Sequence, residues 1–413
     1  MLSLKLAWRN IWRNPTRTLV QISVIAGSLF FVIWMENVAV GSYQKMVEES
    51  VKGGSGHLAF QHKDYLSQRR SEQVIFSQKL LPEIKKIKQV KNALPRLQLP
   101  GLLRSSRENL SAMVVGVDFK IETQTNSLLE SRRKLEGDLP SAEDSREVYL
   151  GEGIAKRLKL KVGNKLVFMF QNVDGELSSM LMRISGLFKT GIGKIDNRMV
   201  FIDRQKLSEA FGAPGAVHEI AIILKDIKDI PPVRKKLNNI LSSTKVKDAV
   251  VLDWRQTMKQ VADAIKLDHA NLKFMIFLLY ILVTIGTVNL LLMSVLERTR
   301  EFGLLRALGF SATRIKRLIG VEAILTGMLG CVVGLVAGIG VSFYSWYYGL
   351  DFSAMFDSQE VAGMLFEPVI HSAWSWQWMI GLTILMMIMV YLASIYPAKK
   401  ALRGSPSDAM RKY

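Results

Sequence analysis

Apolar positions along the chain gather into four long runs, at 19–40, 272–296, 321–344 and 376–396. The first holds one acid, Glu36, near its far end. The second is broken only by Lys273 close to its start, the third begins beside Glu322, and the fourth holds no charge. A helix needs roughly 20 apolar residues to cross ~30 Å of hydrocarbon, and each run reaches that length. Buried helices of soluble proteins are usually shorter and amphipathic, so the pattern predicts four membrane-spanning helices. Ahead of the first run, Leu4, Trp8, Ile11 and Trp12 share one helical face, with Lys5, Arg9 and Arg13 on a neighbouring stripe. This predicts an interfacial amphipathic helix over 2–14, broken by Pro15.

The stretch 41–270 is polar and punctuated by short apolar segments. Alternating or apolar runs predict strands at 112–117, 165–170, 181–184, 199–202 and 219–224, with helices at 80–90, 151–158, 204–211 and 233–241 between them. Pro231 and Pro232 suit the start of the last helix. From Asp253 a helix is expected to run without a break into the second span. The fold class is therefore an integral membrane α-helical protein with a large mixed α+β domain inserted between helices 1 and 2. Its segments are an interfacial helix (1–18), the first span (19–40), the α+β domain (41–270), the second span (271–296), a loop (297–320), the third span (321–345), a short loop (346–375), the fourth span (376–396) and a tail (397–413).

Charge adds an orientation. Lys5, Arg9, Arg13 and Arg17 precede the first span with no acid among them, and Arg298, Arg300, Arg306, Arg314, Lys316 and Arg317 fill the 297–320 loop. The tail is basic too, whereas 346–375 carries Asp351, Asp357, Glu360 and Glu367 and no Lys or Arg. The positive-inside bias then places both termini and the 297–320 loop in the cytoplasm and the 41–270 domain outside. Ala39-Val40-Gly41 loosely resembles a signal cleavage site, but the run is long and its basic leader reads as an ordered helix, so a retained span is expected. The formal net charge of +19 follows from these basic flanks and from a basic external domain, whose surface either faces anionic lipid or is simply solvated. No nucleic-acid motif accompanies it, so nucleic acid is not an expected partner. The single cysteine, Cys331, lies in the third span, which leaves the external domain to be held by packing without disulfides. His57, His62, His218, His269 and His371 show no metal spacing. Asp174 and Glu176 lie in a turn, so neither a metal site nor an enzymatic centre is expected.

The 297–320 loop carries the strongest local signal. Glu297, Arg298, Arg300 and Glu301 stand at the membrane exit, and an apolar stripe of Phe302, Leu305 and Leu308 follows, with Arg306 beside it. Gly309 then ends the segment and Ser311 caps a new helix. Periodicity alone allows either a solvated basic hairpin or a short helix that docks on a soluble partner. Gly330, Gly334 and Gly338 repeat every four residues in the third span, with Gly327 a turn earlier. Such a ridge serves close helix packing, within the subunit or between subunits. Phe30, Phe31, Trp34 and Met35, with Phe274, Met275 and Phe277, either line an apolar cavity for acyl chains or face bulk lipid.

The wording of three segments is more specific. The loop reads E-R-x-R-E-F-G-L-L-R-A-L-G-x-S from Glu297 to Ser311. The tail reads Tyr396-Pro397-Ala398, then Ala401, Pro406 and Ala409-Met410-Arg411. The N-terminus reads A-W-R-N-I-W-R-N-P-x-R-T from Ala7 to Thr18. Taken in chain order, N-terminus, loop and tail, they resemble the FtsX/MacB-type permeases, the type VII ABC transporters. Segments 147–167 and 184–211 look most like the LolC/LolE lipoprotein-releasing branch. The resemblance implies a MacB-like external domain and a coupling helix at 297–309. It also implies a separate cytoplasmic ATPase subunit that uses ATP and Mg, and a second copy or homologous permease beside this one in the bacterial inner membrane. It further implies a lipoprotein substrate taken from the outer leaflet and passed to a periplasmic chaperone, with MacB-like efflux or FtsX-like activation of a periplasmic hydrolase as alternatives. The chain itself lacks a phosphate-cradling loop: Gly186 and Gly191 have the spacing, but Ile192 stands where lysine is required. No cofactor is therefore expected on this chain.

Overall fold

The computed structural model describes residues 2–106, 108–130, 133–141, 146–244, 246, 248–351, 360–361, 364–365 and 369–401, with the side chains of 2–6, 360–361 and 364–365 left aside. The tail motif at Pro406, Ala409, Met410 and Arg411, and the loop acids Asp357 and Glu367, lie outside the described residues. The chain divides into two compact units. One comprises Met1–Gln44, Lys266–Phe352 and Val369–Tyr413; the other comprises Lys45–Ile265 and Ser353–Pro368.

The first unit is helical. We label its helices α1 (Leu2–Ile11), α2 (Pro15–Gly53), α3 (Lys259–Glu297), α4 (Thr299–Ala307), α5 (Ala312–Tyr348) and α6 (Trp376–Lys400). Four of them, α2, α3, α5 and α6, are long and apolar enough to cross a membrane. Both α2 and α3 extend to 39 residues, well past their apolar runs, and each contributes to both units. Two boundaries differ from the sequence expectation. The first helix ends at Ile11, and Pro15 opens α2 as its first residue, where its missing N–H costs nothing. The helix expected from Asp253 is broken. Asp253 and Gln256 form a capping box on the short helix Trp254–Thr257, and Met258, at φ −115° and ψ 54°, interrupts the helix before α3 begins. Apolar residues of α2, α3, α5 and α6 meet in one core, among them Ile25, Leu29, Ile276, Tyr280, Cys331 and Met386.

The second unit is built on a ten-stranded sheet. Its strands are β1 (Leu58–His62), β2 (Val90–Arg104), β3 (Asn109–Val117), β4 (Lys134–Gly137), β5 (Glu147–Gly151), β6 (Lys165–Gln171), β7 (Leu177–Phe188), β8 (Met199–Asp203), β9 (Glu219–Leu224) and β10 (Ala249–Asp253). They lie in the order β10-β1-β9-β2-β3-β8-β5-β7-β4, and β6 pairs with both β2 and β7. Helices at Glu152–Leu158, Arg204–Ala210 and Ile230–Thr244 connect them. The helix expected over 80–90 is cut to Leu81–Lys85, because Val90 is already paired with Leu224 in the sheet.

Strand β2 joins two halves of this unit. Residues from Val90 to Arg96 pair with β9, and from Leu97 to Arg104 with β3. One apolar core gathers around Phe60, Leu94, Ile222 and Leu237, and a second around Leu99, Phe168, Ile202 and Phe211. Arg96 sits where β2 passes from one to the other, opposite Glu219 in the register. Its guanidinium donates to Glu122 through Nε at 2.6 Å and Nη2 at 2.9 Å, and through Nη1 to the Gly54 carbonyl at 2.5 Å. Glu219 lies 3.7 Å away and accepts from Gln61 and Gln98 at 3.0 and 2.9 Å, while Asn126 donates to Glu122 at 2.9 Å. Arg96, Glu122 and Glu219 are all buried. Next to this network, His218 is enclosed between Tyr65 and Phe211. Its Nδ1 accepts from the Gln98 N–H at 3.0 Å, which leaves Nε2–H to donate to the Ser71 carbonyl at 2.9 Å. Burial lowers its pKa to about 4, so the ring is neutral at pH 7.

Two outcomes follow. Arg96→Met strands two carboxylates in the interior and is expected to cost about 3–5 kcal/mol in denaturant unfolding of the second unit's signal, with partial recovery on adding Glu122→Gln and Glu219→Gln. His218 takes up its proton in the unfolded chain near pH 6.5 but in the folded chain only near pH 4. Stability is thus intact above pH 6.5 and falls as pH drops toward 4, by on the order of 3 kcal/mol. Unfolding at pH 7 and pH 5 checks this, and His218→Gln should flatten the slope.

Candidate functional site

The Arg-rich end of the helical unit is organised around one reversal. Helix α3 ends at Glu297, and Arg298, at φ −101° and ψ 16°, breaks the chain's helical path before α4. After α4, Gly309 adopts φ +92°, a conformation that L side chains rarely take. Ser311 then caps α5 by accepting from the Arg314 N–H.

Ion pairs fix α4 in place. Arg17 of α2 donates to Glu297 through Nη1 at 2.6 Å, and Arg13, in the turn after α1, pairs with Glu301. Arg298 reaches Glu301 through Nε at 3.0 Å and grips both oxygens of Glu322, on α5, through Nη1 at 3.0 and 3.1 Å. The hydrogen bond from Arg17 holds the Glu297 carboxyl below the usual carboxylate range. Burial pushes Glu301 upward, but the bonds from Arg13 and Arg298 outweigh it and leave its pKa lowered. Exposed pairs such as Arg13–Glu301 contribute little stability singly. Linked through the mostly buried Arg298–Glu322 pair, they orient α4 on α2, α3 and α5.

The faces of α4 differ from the stripe expected at Phe302, Leu305 and Leu308. Phe302 is buried with Val295, Ile315, Ile319 and Ala398, and the Arg298 guanidinium lies 5.3 Å from its ring centroid. Leu305 packs partly against the same cluster. Phe302 therefore anchors α4 in this cluster. Because the helix rotates its 302/305 edge inward, the outward face consists of Arg300, Leu304, Ala307 and Leu308, at spacings of four, three and one. Leu304 and Leu308 are 57% and 72% exposed. Sequence reasoning passed over Leu304, although its i, i+4 relation to Arg300 and Leu308 was available. Arg306 is half-buried and Gly309 exposed at the turn. On α1 the sides also sort differently: Ala7 and Ile11 are buried, while Trp8 and Trp12 point outward.

The glycines at 330, 334 and 338 are buried along α2. A Cβ on Gly330 would stand 2.8 Å from Ile25, one on Gly334 2.7 Å from the Ala26 carbonyl oxygen, and one on Gly338 3.1 Å from Ile33. Gly327 faces Val390 of α6. This places the ridge in a seam within one chain. The aromatic residues are less unified. Phe30, Phe31 and Trp34 stack along α2 and Met35 joins the bundle core, while Phe274, Met275 and Phe277 are exposed. An open apolar recess of about 360 Å³ lies elsewhere, between α5 and α6, lined by Ile324, Ile384, Met387, Ile388 and Tyr391 with Thr383.

At the opposite end, Asn37 is fully buried and fully used. Its Nδ2 donates to Ser342 at 3.0 Å, its Oδ1 accepts from Ser375 at 3.2 Å, and its backbone carbonyl accepts from Ala373 at 2.9 Å. Ser372 and Ser345 extend the set through a 3.0 Å hydroxyl contact. No hydropathy signal marks these residues, since isolated serines and an asparagine blend into an apolar run.

Comparison with known proteins gives two family matches. The family described as FtsX-like permease C-terminal matches residues 273–406, and the one described as MacB-like periplasmic core domain matches residues 18–240. The lipoprotein-releasing system transmembrane protein LolC of Xylella fastidiosa (strain Temecula1) is 24% identical over 78% of each chain. LolC of Neisseria meningitidis is 23% identical over 64% of this chain and 65% of its own length. An uncharacterized ABC transporter permease from Methanocaldococcus jannaschii is 22% identical over 98% of this chain and 96% of its own. The periplasmic region of MacB from Actinobacillus actinomycetemcomitans aligns with 53% of this chain and 98% of its own, with a TM-score of 0.38 and 16% identity.

The seam makes a direct prediction. Gly334→Leu drives a side chain into the α2 backbone, so the full chain should lose thermal stability and monodispersity in detergent, whereas Gly286→Leu, on α3 with nothing within 4 Å, should behave as wild type.

Proposed function

This chain belongs to the FtsX/MacB-type permeases of ABC transporters, and from that membership we propose that it is the membrane subunit of a transporter whose ATPase is a separate cytoplasmic protein. The cargo in this reading is a lipoprotein, lifted from the outer leaflet of a bacterial inner membrane and released to a periplasmic chaperone. Similarity to LolC over 78% of the chain supports that choice. The Arg-rich end is cytoplasmic by its charge, and the second unit is periplasmic.

The observation that carries the proposal is the outward face of α4. Arg300, Leu304, Ala307 and Leu308 project from a helix that is pinned at its start by Arg298 and reversed at its end by Gly309. Exposed leucines on a short, ion-paired helix suit the groove of a soluble partner. A push there enters α3 and α5 directly, because Arg298 follows Glu297 at the end of α3 and grips Glu322 on α5. ATP binding would close the ATPase pair under two permease subunits, and α2 and α3 would carry the displacement outward. The chain needs no nucleotide or Mg of its own in this scheme.

The MacB-like match over residues 18–240 favours a second reading, an efflux permease that drives a peptide or drug outward. Activation of a periplasmic hydrolase in the FtsX manner is the third outcome of the same experiment. The intact permease–ATPase complex is reconstituted into proteoliposomes carrying a labelled lipoprotein, and ATP-dependent transfer to a soluble chaperone is measured. Transfer is expected. Retention of lipoprotein alongside drug movement or hydrolase stimulation would overturn the choice. In the same assay Leu304→Asp and Leu308→Asp should still insert into the membrane but lose ATPase co-purification and coupled transfer by about 10-fold or more, as for an interface hot spot. Unchanged coupling in both would remove α4 from the docking role.

A further inference from the structure

The end of the helical unit opposite α4 contains a charged residue that the bundle does not satisfy. Glu36 of α2 is only 3% exposed, and its Oε1 has no hydrogen-bond partner. The adjacent Asn37 is saturated with bonds to α5 and to the segment before α6, so loose packing at this level is not the reason. A buried carboxylate left in this way is costly unless something completes it.

Several groups converge around it. The basic side chains that act on Glu36 are His269 and Lys273, on the first membrane-facing turns of α3. The Tyr43 hydroxyl, also within reach of the Glu36 charge, donates to Asp268 at 2.6 Å. His269 lies between two rings, with its centroid 6.0 Å from both Tyr43 and Trp378. The Lys273 ammonium stands 5.3 Å from the Trp378 centroid and is exposed. Exposed Trp346, Tyr347, Tyr348 and Trp376 ring this end of the bundle, a belt that marks headgroup depth. Asn37 bonds to Ala373 and Ser375 beside those rings, which sets Glu36 at the same level.

The arrangement has acids on the inside, bases at the rim and aromatic walls between. A ligand that matches it carries an ammonium and a phosphate one short linker apart. We propose that Glu36, Tyr43, Asp268, His269, Lys273 and Trp378 form a phospholipid headgroup site selective for a primary ammonium. The ammonium of a phosphatidylethanolamine donates to Glu36, backed by the Tyr43–Asp268 pair. Its phosphate accepts from Lys273 and His269, and Trp378 covers the linker. A trimethylated ammonium has no N–H to donate to the carboxylate, and a glycerol headgroup has no positive charge. The proposal depends on the four spans and not on the cargo assigned above.

The test uses the full-length chain, delipidated in detergent and titrated with phosphatidylethanolamine, phosphatidylcholine or phosphatidylglycerol. Thermal shift and retained lipid by mass spectrometry are the readouts. Wild type should prefer phosphatidylethanolamine over the other two by about 10-fold, the scale of one charge-assisted hydrogen bond. Glu36→Gln should abolish the preference, and Lys273→Gln should weaken all three lipids. Equal stabilisation of wild type by the three lipids would overturn the site. So would a preference that survives Glu36→Gln. If Glu36→Gln does not fold, the wild-type headgroup series decides alone.

Discussion

The guanidinium of Arg96 is the constraint on which the second unit turns. Removing a charge from water costs several kcal/mol, which is recovered only if geometry and partners are complete. Here the partners come from five separate places in the chain: Glu122 after β3, Glu219 on β9, the Gly54 carbonyl just past α2, and, through Glu219, Gln61 on β1 and Gln98 on β2. None can shift by an ångström without exposing another's unmet charge. The network lies where β2 leaves one apolar core for the next, so it also fixes the register in which both halves of the sheet are assembled. Hydrophobic contact alone would tolerate sliding there.

The helical unit is held by the opposite means. Where α5 meets α2, the contact depends on side chains that are missing. In hydrocarbon, apolar surface gains nothing by meeting apolar surface, and close approach of backbones supplies the attraction. Gly330, Gly334 and Gly338 allow that approach, and Asn37 pins one end of the assembly with bonds that have no water to compete with them. At the other end ion pairs take over, with Arg13, Arg17 and Arg298 tying four helical segments to one short helix. The result is a bundle whose middle is fixed by shape and whose ends are fixed by polar geometry.

How much of this was legible in the sequence depends on whether a property is local. Hydropathy over twenty residues is local, and the four spans follow from it. Strands that alternate in burial, such as Lys165–Gln171, or run apolar, such as Glu219–Leu224, were equally readable. The longest strand was not. Pro95, Pro100 and Gly101 within Val90–Arg104 read as breakers, and only the pairing on both sides overrides them. The outward face of α4 was misjudged for a related reason. Phe302, Leu305 and Leu308 form an apolar stripe in isolation, but the burial of Phe302 and partial burial of Leu305 turn that part of the edge inward and leave Leu308 outward beside Leu304. Arg96 and its partners lie 26 and 123 positions apart in the chain, at residues 122 and 219, and no window connects them.

Buried charge then separates holding from binding. Glu122 and Glu219 are answered by Arg96, and Glu322 by Arg298, with every distance at or below 3.7 Å. These groups are spent on the fold, and their removal should be felt as lost stability. Glu36 is buried nearly as deeply and is left with an open oxygen. Arg96 and Arg298 show that the fold can meet an interior carboxylate with arginine. Lys273 is close enough to act on it, yet its ammonium is drawn to the Trp378 face at the rim. The charge is therefore held apart from its obvious counter-ion by the same rings that wall the site. Under the proposed headgroup site, a ligand that brings a cation inward and an anion to the edge would answer both groups.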